Sequence, residues 1–98
     1  MADTMRDGDT PLIDAARHGR SGAISSLLAA GAAVNQATQD GATPLFLACL
    51  DGHTETASLL VAAGAAVNQA AEDGAAPLFL ACQEGHTETA SMLLVRAL

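Results

Sequence analysis

The stretch DGATPLFLACLDG, residues 40–52, returns 33 positions later as DGAAPLFLACQEG, residues 73–85, and stands in looser form as DGDTPLIDAARHG at residues 7–19. The prolines Pro11, Pro44 and Pro77 mark the interval. The segments between them keep step: LLAAGAAVNQATQDG (27–41) is echoed by LVAAGAAVNQAAEDG (60–74), and GHTETASLL (52–60) by GHTETASML (85–93). A constant period of this length is the mark of stacked helical units, none of which can bury its own apolar face alone. Little lies outside the repeat, so the chain reads as one domain over residues 1–98, with approximate units 7–39, 40–72 and 73–98.

In the middle unit Thr43 precedes Pro44, a hydroxyl N-cap followed by the residue best suited to the first helical position. The first helix of the unit runs to about Asp51; Leu45, Ala48 and Cys49 form an apolar stripe, and Gly52 supplies the left-handed stop. A second helix starts near Thr54, where Glu55 complements the helix dipole, and carries Ala57, Leu60 and Val61 inward until Gly64 ends it. The first unit repeats the plan with Leu12, Ala15, Ala16, Ile24, Leu27 and Leu28, the third with Leu78, Ala81, Cys82, Ala90, Leu93 and Leu94. Between helix pairs, segments such as 65–76, ending in Asp73-Gly74, predict an extended excursion with a tight turn. The fold class is therefore all-α: a solenoid of antiparallel helix pairs with hairpin-like finger loops.

The pattern DGxTPLxxA, followed by G(H) and then LLxxGAxVN, resembles the consensus of the ankyrin repeat family over essentially Asp7 to Leu98. That resemblance implies an L-shaped stack whose concave surface, made of fingertips and first-helix residues, binds other proteins. Three departures stand out. The histidine usual after TPL is Ile13, Phe46 or Phe79; the aspartate usual before Val-Asn is Ala33 or Ala66; and Ala76 replaces the capping threonine of the third unit. The first two remove polar groups that order the turn and the finger base in the family.

Composition excludes several functions. Four Arg and no Lys stand against 11 acidic residues, a net charge of −7. Such a chain gains nothing from counterion release on nucleic acid, and an anionic membrane surface repels it. The balance favours partners with basic patches. The N-terminus MADTMRDGDT reads as neither a targeting nor a lipidation signal, and the apolar run near Leu59 to Val67 falls far short of the roughly 20 residues of a membrane span. Cys49 and Cys82 share a repeat position, and stacked units stand about 10 Å apart, too far for a disulfide. Two buried thiols suit an intracellular, reducing compartment, cytoplasm or nucleus.

No residues point to catalysis, a cofactor or a metal. The C-x3-H pairs Cys49/His53 and Cys82/His86 could be imagined as zinc half-sites, but each cysteine belongs to a core stripe and duplication explains the doubling. His18 lies outside that pattern and is expected in solvent. The pairs Asp51/Glu55 and Glu84/Glu88 have helical spacing, yet a glycine interrupts each, and general acid–base work needs a desolvated cleft. Nucleophile-elbow, zincin, P-loop and Rossmann patterns are absent, and without lysine so is Schiff-base chemistry.

Binding has candidates. Comparing the copies within the chain, the fingertip positions Thr38, Gln39, Asp40 and Ala42 differ from, or pair with, Ala71, Glu72, Asp73 and Ala75. The ends of the first helices vary as well: Arg17 and His18, Leu50 and Asp51, Gln83 and Glu84. With Trp and Tyr absent, the only aromatic anchors are Phe46 and Phe79, expected in register near the base of the fingers. The function that follows is a protein–protein interaction scaffold binding through finger loops and the concave helix surface. The alternative is a structural or self-associating segment of a longer array with no ligand of its own. Because the third unit nearly copies the second yet stops at Leu98, its C-terminal side is expected to be uncapped and open to self-association.

Overall fold

The structure, a computed structural model, describes residues 9–97. It consists of six helices: α1 (Pro11–Arg17), α2 (Ser21–Ala29), α3 (Pro44–Leu50), α4 (Thr54–Ala62), α5 (Pro77–Gln83) and α6 (Thr87–Ala97). Each unit contributes a short and a longer helix that pack on one another. The short helices α1, α3 and α5 form one layer and α2, α4 and α6 a second.

Local sequence accounts for the ends of these elements. Thr10 Oγ1 accepts a hydrogen bond from the Ile13 amide at 3.2 Å, and Thr43 Oγ1 one from the Phe46 amide at 3.1 Å, so two of the three short helices are capped as the Thr-Pro pairs predict. At α5 the cap residue is Ala76, and no side chain accepts a bond there. The turn after each short helix demands a left-handed glycine, with φ +65° at Gly19 and +70° at Gly52. After α2 and α4 the chain closes on itself: the Ala65 amide reaches the Leu60 carbonyl at 3.0 Å, as Ala32 reaches Leu27.

The main core lies between the two helical layers, where Leu12, Ala16, Ile24, Leu45, Cys49, Ala57, Leu60 and Leu93 are buried. Alanines at the repeated positions let the helices approach closely. A smaller cluster of Ile13, Ala42 and Leu47, with Phe46 packed against it, lies on the finger side of the short helices. The fingers are tight turns; none of the described residues forms a strand. In the first, the Thr38 amide bonds the Ala42 carbonyl at 2.9 Å and Thr38 Oγ1 accepts from the Ala42 amide at 3.1 Å. In the second, the Ala71 amide bonds the Ala75 carbonyl at 2.9 Å and Asp73 Oδ1 accepts from the Ala75 amide. The expected paucity of bonds at the finger base is partly offset between units, because Asn35 Oδ1 accepts from the Ala66 amide at 2.8 Å.

Candidate functional site

Between the two finger turns and the exposed side of α1 and α3 runs a groove of about 570 Å³. Its floor is Ala42, Phe46 and Leu47, held by the smaller apolar cluster, and its walls are the turns around Asp40 and around Glu72 and Asp73. The walls keep their spacing because the Glu72 amide donates to the Asp40 carbonyl at 2.9 Å, tying one fingertip to the next. At the far end Arg17 pairs with Asp9, whose side chain is almost wholly buried. Four carboxylates and one guanidinium line the groove, so once Arg17 is matched by Asp9 three negative charges remain, on Asp40, Glu72 and Asp73. Carboxylates around an apolar floor concentrate a negative potential at the groove mouth.

The residues expected to bind divide into three groups. The groove gathers Arg17, Thr38, Gln39, Asp40, Ala42, Phe46, Ala71, Glu72 and Asp73. Asp73 also borders a shallower depression with Ala75, Phe79 and Gln83. His18, Leu50, Asp51 and Glu84 line neither. Asp51 and Glu84 are exposed at the ends of short helices, and His18 is exposed with Nδ1 2.9 Å from the Asp14 carbonyl. Ala42 lies in the floor of the groove rather than at an exposed fingertip, 8 % exposed, because the finger folds back onto α3. The two phenylalanines also part company, Phe46 half-buried and Phe79 58 % exposed. Asp9 and Leu47 line the groove without any signal in the sequence, since their places depend on contacts across the turn between elements.

The C-x3-H pairs have other employment. Cys49 lies in the core and burial pushes its thiol up to about 12, so it offers no thiolate near neutral pH. His53 Nε2 lies 3.2 Å from the Arg17 carbonyl and His86 Nε2 3.1 Å from the Leu50 carbonyl, so each imidazole donates to the last turn of the preceding short helix. Each ring also covers the preceding unit's glycine: a Cβ on Gly19 would stand 2.5 Å from His53 Nδ1, and one on Gly52 2.6 Å from His86 Nδ1. Hydroxyls continue the joint, Ser21 Oγ with Thr56 Oγ1 at 3.0 Å and Thr54 Oγ1 with Thr89 Oγ1 at 2.6 Å. Among the described residues no three His, Cys, Asp or Glu side chains gather as metal ligands would. Asp51, Glu55, Glu84 and Glu88 are all exposed, which leaves these carboxylates without the desolvation that acid–base catalysis requires.

Comparison with known proteins agrees with this geometry. Residues 12–97 match the family described as ankyrin repeats in three copies. Among curated proteins no sequence matches the chain significantly. Among solved structures the chain is similar to the human ASB11 ankyrin repeat domain, with a TM-score of 0.86 and 40 % identity over 90 % of this chain and 40 % of that one. The chain thus spans less than half the length of that domain. Ankyrin repeats are, as a family, non-enzymatic modules for protein–protein interaction. The periodic prolines, the two helical layers with finger turns and the match over residues 12–97 make this chain a member of the ankyrin repeat family.

Proposed function

We propose that the protein is an interaction module that binds its partner in the groove between the fingertips and α3, and that the partner presents an extended basic segment with an apolar side chain. The groove itself carries the proposal: an apolar floor at Ala42, Phe46 and Leu47 beneath the unmatched carboxylates of Asp40, Glu72 and Asp73. A guanidinium or ammonium flanking an aliphatic or aromatic side chain satisfies both features at once, the charge steering the encounter and the apolar contact slowing release. An intracellular setting belongs to this reading and is suited by the buried thiol of Cys49; Cys82, expected to be buried like it, is exposed. No helix among the described residues is long and apolar enough to cross a membrane.

The test is a titration with two peptides of equal length, one alternating Arg and Leu and one alternating Glu and Leu, followed by amide chemical shifts. The Arg-Leu peptide is expected to move residues 38–42, Phe46 and 71–73, more weakly at high salt and not at all in the Asp40→Lys, Asp73→Lys variant. Equal binding by the acidic peptide, or shifts confined to α2, α4 and α6, would remove the groove as the site.

A further inference from the structure

The groove between the fingertips does not carry its charge evenly. Its lining comes from successive parts of the stack, so chain order fixes the order of its charged groups: Asp9 and Arg17 from either end of α1, Asp40 from the turn before α3, and Glu72 and Asp73 from the turn before α5. Carboxylates crowd toward the third unit, and a cation stands toward the first.

Pairing with Asp9 does not erase that cation. The Asp9 side chain is 1 % exposed and the Arg17 side chain 18 %, so the carboxylate lies beneath and the guanidinium above it, nearer to solvent. Such a pair is neutral in sum but not in field, because at a few ångströms the nearer charge dominates. A guanidinium also presents five N–H donors in a planar fork. Arg17 commits Nη1 to Asp9 Oδ2, and among the described residues no other group accepts from it.

The pair is not part of the repeated plan. At the positions of Arg17 the later units have Leu50 and Gln83, and at those of Asp9 they have Ala42 and Ala75, yet α3 and α5 form as α1 does. The acidic fingertip, in contrast, is repeated as Asp40 and Asp73. A helix pair of this kind therefore needs no ion pair in order to fold, and the one present places a cation where the groove begins.

Resting on the groove as the binding site, we propose that its partner segment is charge-polarised. One end carries a carboxylate that docks on Arg17, an apolar side chain covers Phe46 and Leu47, and arginine or lysine at the other end meets Asp40, Glu72 and Asp73. The carboxylate takes guanidinium donors that Asp9 does not occupy, a charge-assisted contact. At the other end the same carboxylate would face three like charges, and a basic group beside Arg17 would face a cation. Both misplacements are disfavoured, so the order of charges, and not only their sum, selects the segment.

The test compares three peptides of one length, blocked at both termini: Glu-Ser-Leu-Ser-Arg-Ser-Arg, the same peptide with Gln for Glu, and the rearranged Arg-Ser-Leu-Ser-Glu-Ser-Arg. Alternate residues share one face when such a chain is extended. The first peptide is expected to bind the protein about fivefold to tenfold more tightly than the second, as one charge-assisted contact allows. It should also move the Arg17 side-chain Nε–H resonance, which the second leaves in place. The rearranged peptide, identical in composition and charge to the first, is expected to bind more weakly than either. Asp9→Asn combined with Arg17→Gln removes the pair without altering the net charge of the groove, and in that double variant the first two peptides should bind alike. The peptide comparisons and the resonance use the parent chain alone, so they decide the matter even if the double variant does not fold. Equal affinity of the first two peptides for the parent, an advantage of the first that survives in the double variant, or a rearranged peptide that binds as well as the first would each overturn docking on Arg17 and leave the groove as a site for basic segments. Binding of none of the three would remove the groove itself, and this inference with it.

Discussion

The hexapeptide PLFLAC occurs twice, at 44–49 and at 77–82, and the two copies live in different surroundings. Cys49 and Leu45 are buried completely, Cys82 is exposed and Leu78 half-buried; Phe46 is half-covered and Phe79 largely open. Both copies are helices of the same length begun by the same proline. What differs is the neighbour: α3 is packed between α1 and α5, whereas α5 has a short helix on one side among the described residues. Helix formation is thus local here, and burial belongs to the stack.

Truncation of the first leucine in each copy should expose that difference most strongly. Leu45→Ala empties a fully buried site and is expected to lower stability by about 2–5 kcal/mol. For Leu78→Ala, where less apolar area is withdrawn from water, about 1–2 kcal/mol is expected. Urea midpoints decide it, and equal losses would mean that the two sites are equally packed in solution.

The glycines after these helices sharpen the comparison at one atom. Gly52 and Gly85 have φ of +70° and +76°, so an alanine at either position bears a left-handed strain of about 1–2 kcal/mol. Only at Gly52 does the new Cβ meet His86, and loss of that ring's bond to the Leu50 carbonyl adds about 1 kcal/mol. Thermal unfolding of Gly52→Ala should therefore fall below that of Gly85→Ala; coincident curves would show that His86 does not sit on the glycine.

A difference of sequence separates the copies at the cap. Ala76→Thr should restore at α5 the bond that Thr43 makes at α3 and raise stability by about 0.5–2 kcal/mol, while Thr43→Ala should lower it by a similar amount. A denaturant midpoint unmoved by Ala76→Thr would show that the α5 terminus lacks the cap geometry.

The last difference between the copies concerns the buried thiol and is confined to alkaline solution. Burial lifts Cys49 from 9.0 to about 12, so between these values the unfolded chain has released a proton that the folded chain keeps. Stability from burying the neutral thiol is full below pH 9 and declines as pH rises toward 12. Cys49→Ala should flatten the fall in urea midpoint above pH 9. If the variant falls as steeply as the parent, Cys49 is not the group that titrates.

The candidate site was only partly legible in the residues. Comparing copies pointed to Asp40, Glu72 and Asp73, and these do face one groove, because residues at one repeat position return to one side of the stack. The same comparison could not distinguish Ala42, folded under the turn, from its exposed neighbours Gln39 and Asp40. Nor could it find Asp9, which reaches Arg17 from the far side of the first cap. The histidines were visible as repeated letters, but their work as joints depends on a neighbouring unit's glycine and carbonyl.

By itself the sequence determined the period, the helix starts at Thr-Pro, the glycine stops and the stripes that face inward, because each of these depends on residues within a turn or two of one another. Tertiary structure alone decided which of two identical hexapeptides is buried and which carboxylates stay unmatched around an apolar floor. Those properties are set by contacts about 33 residues apart, across the period of the repeat, and such contacts exist only once the units have stacked.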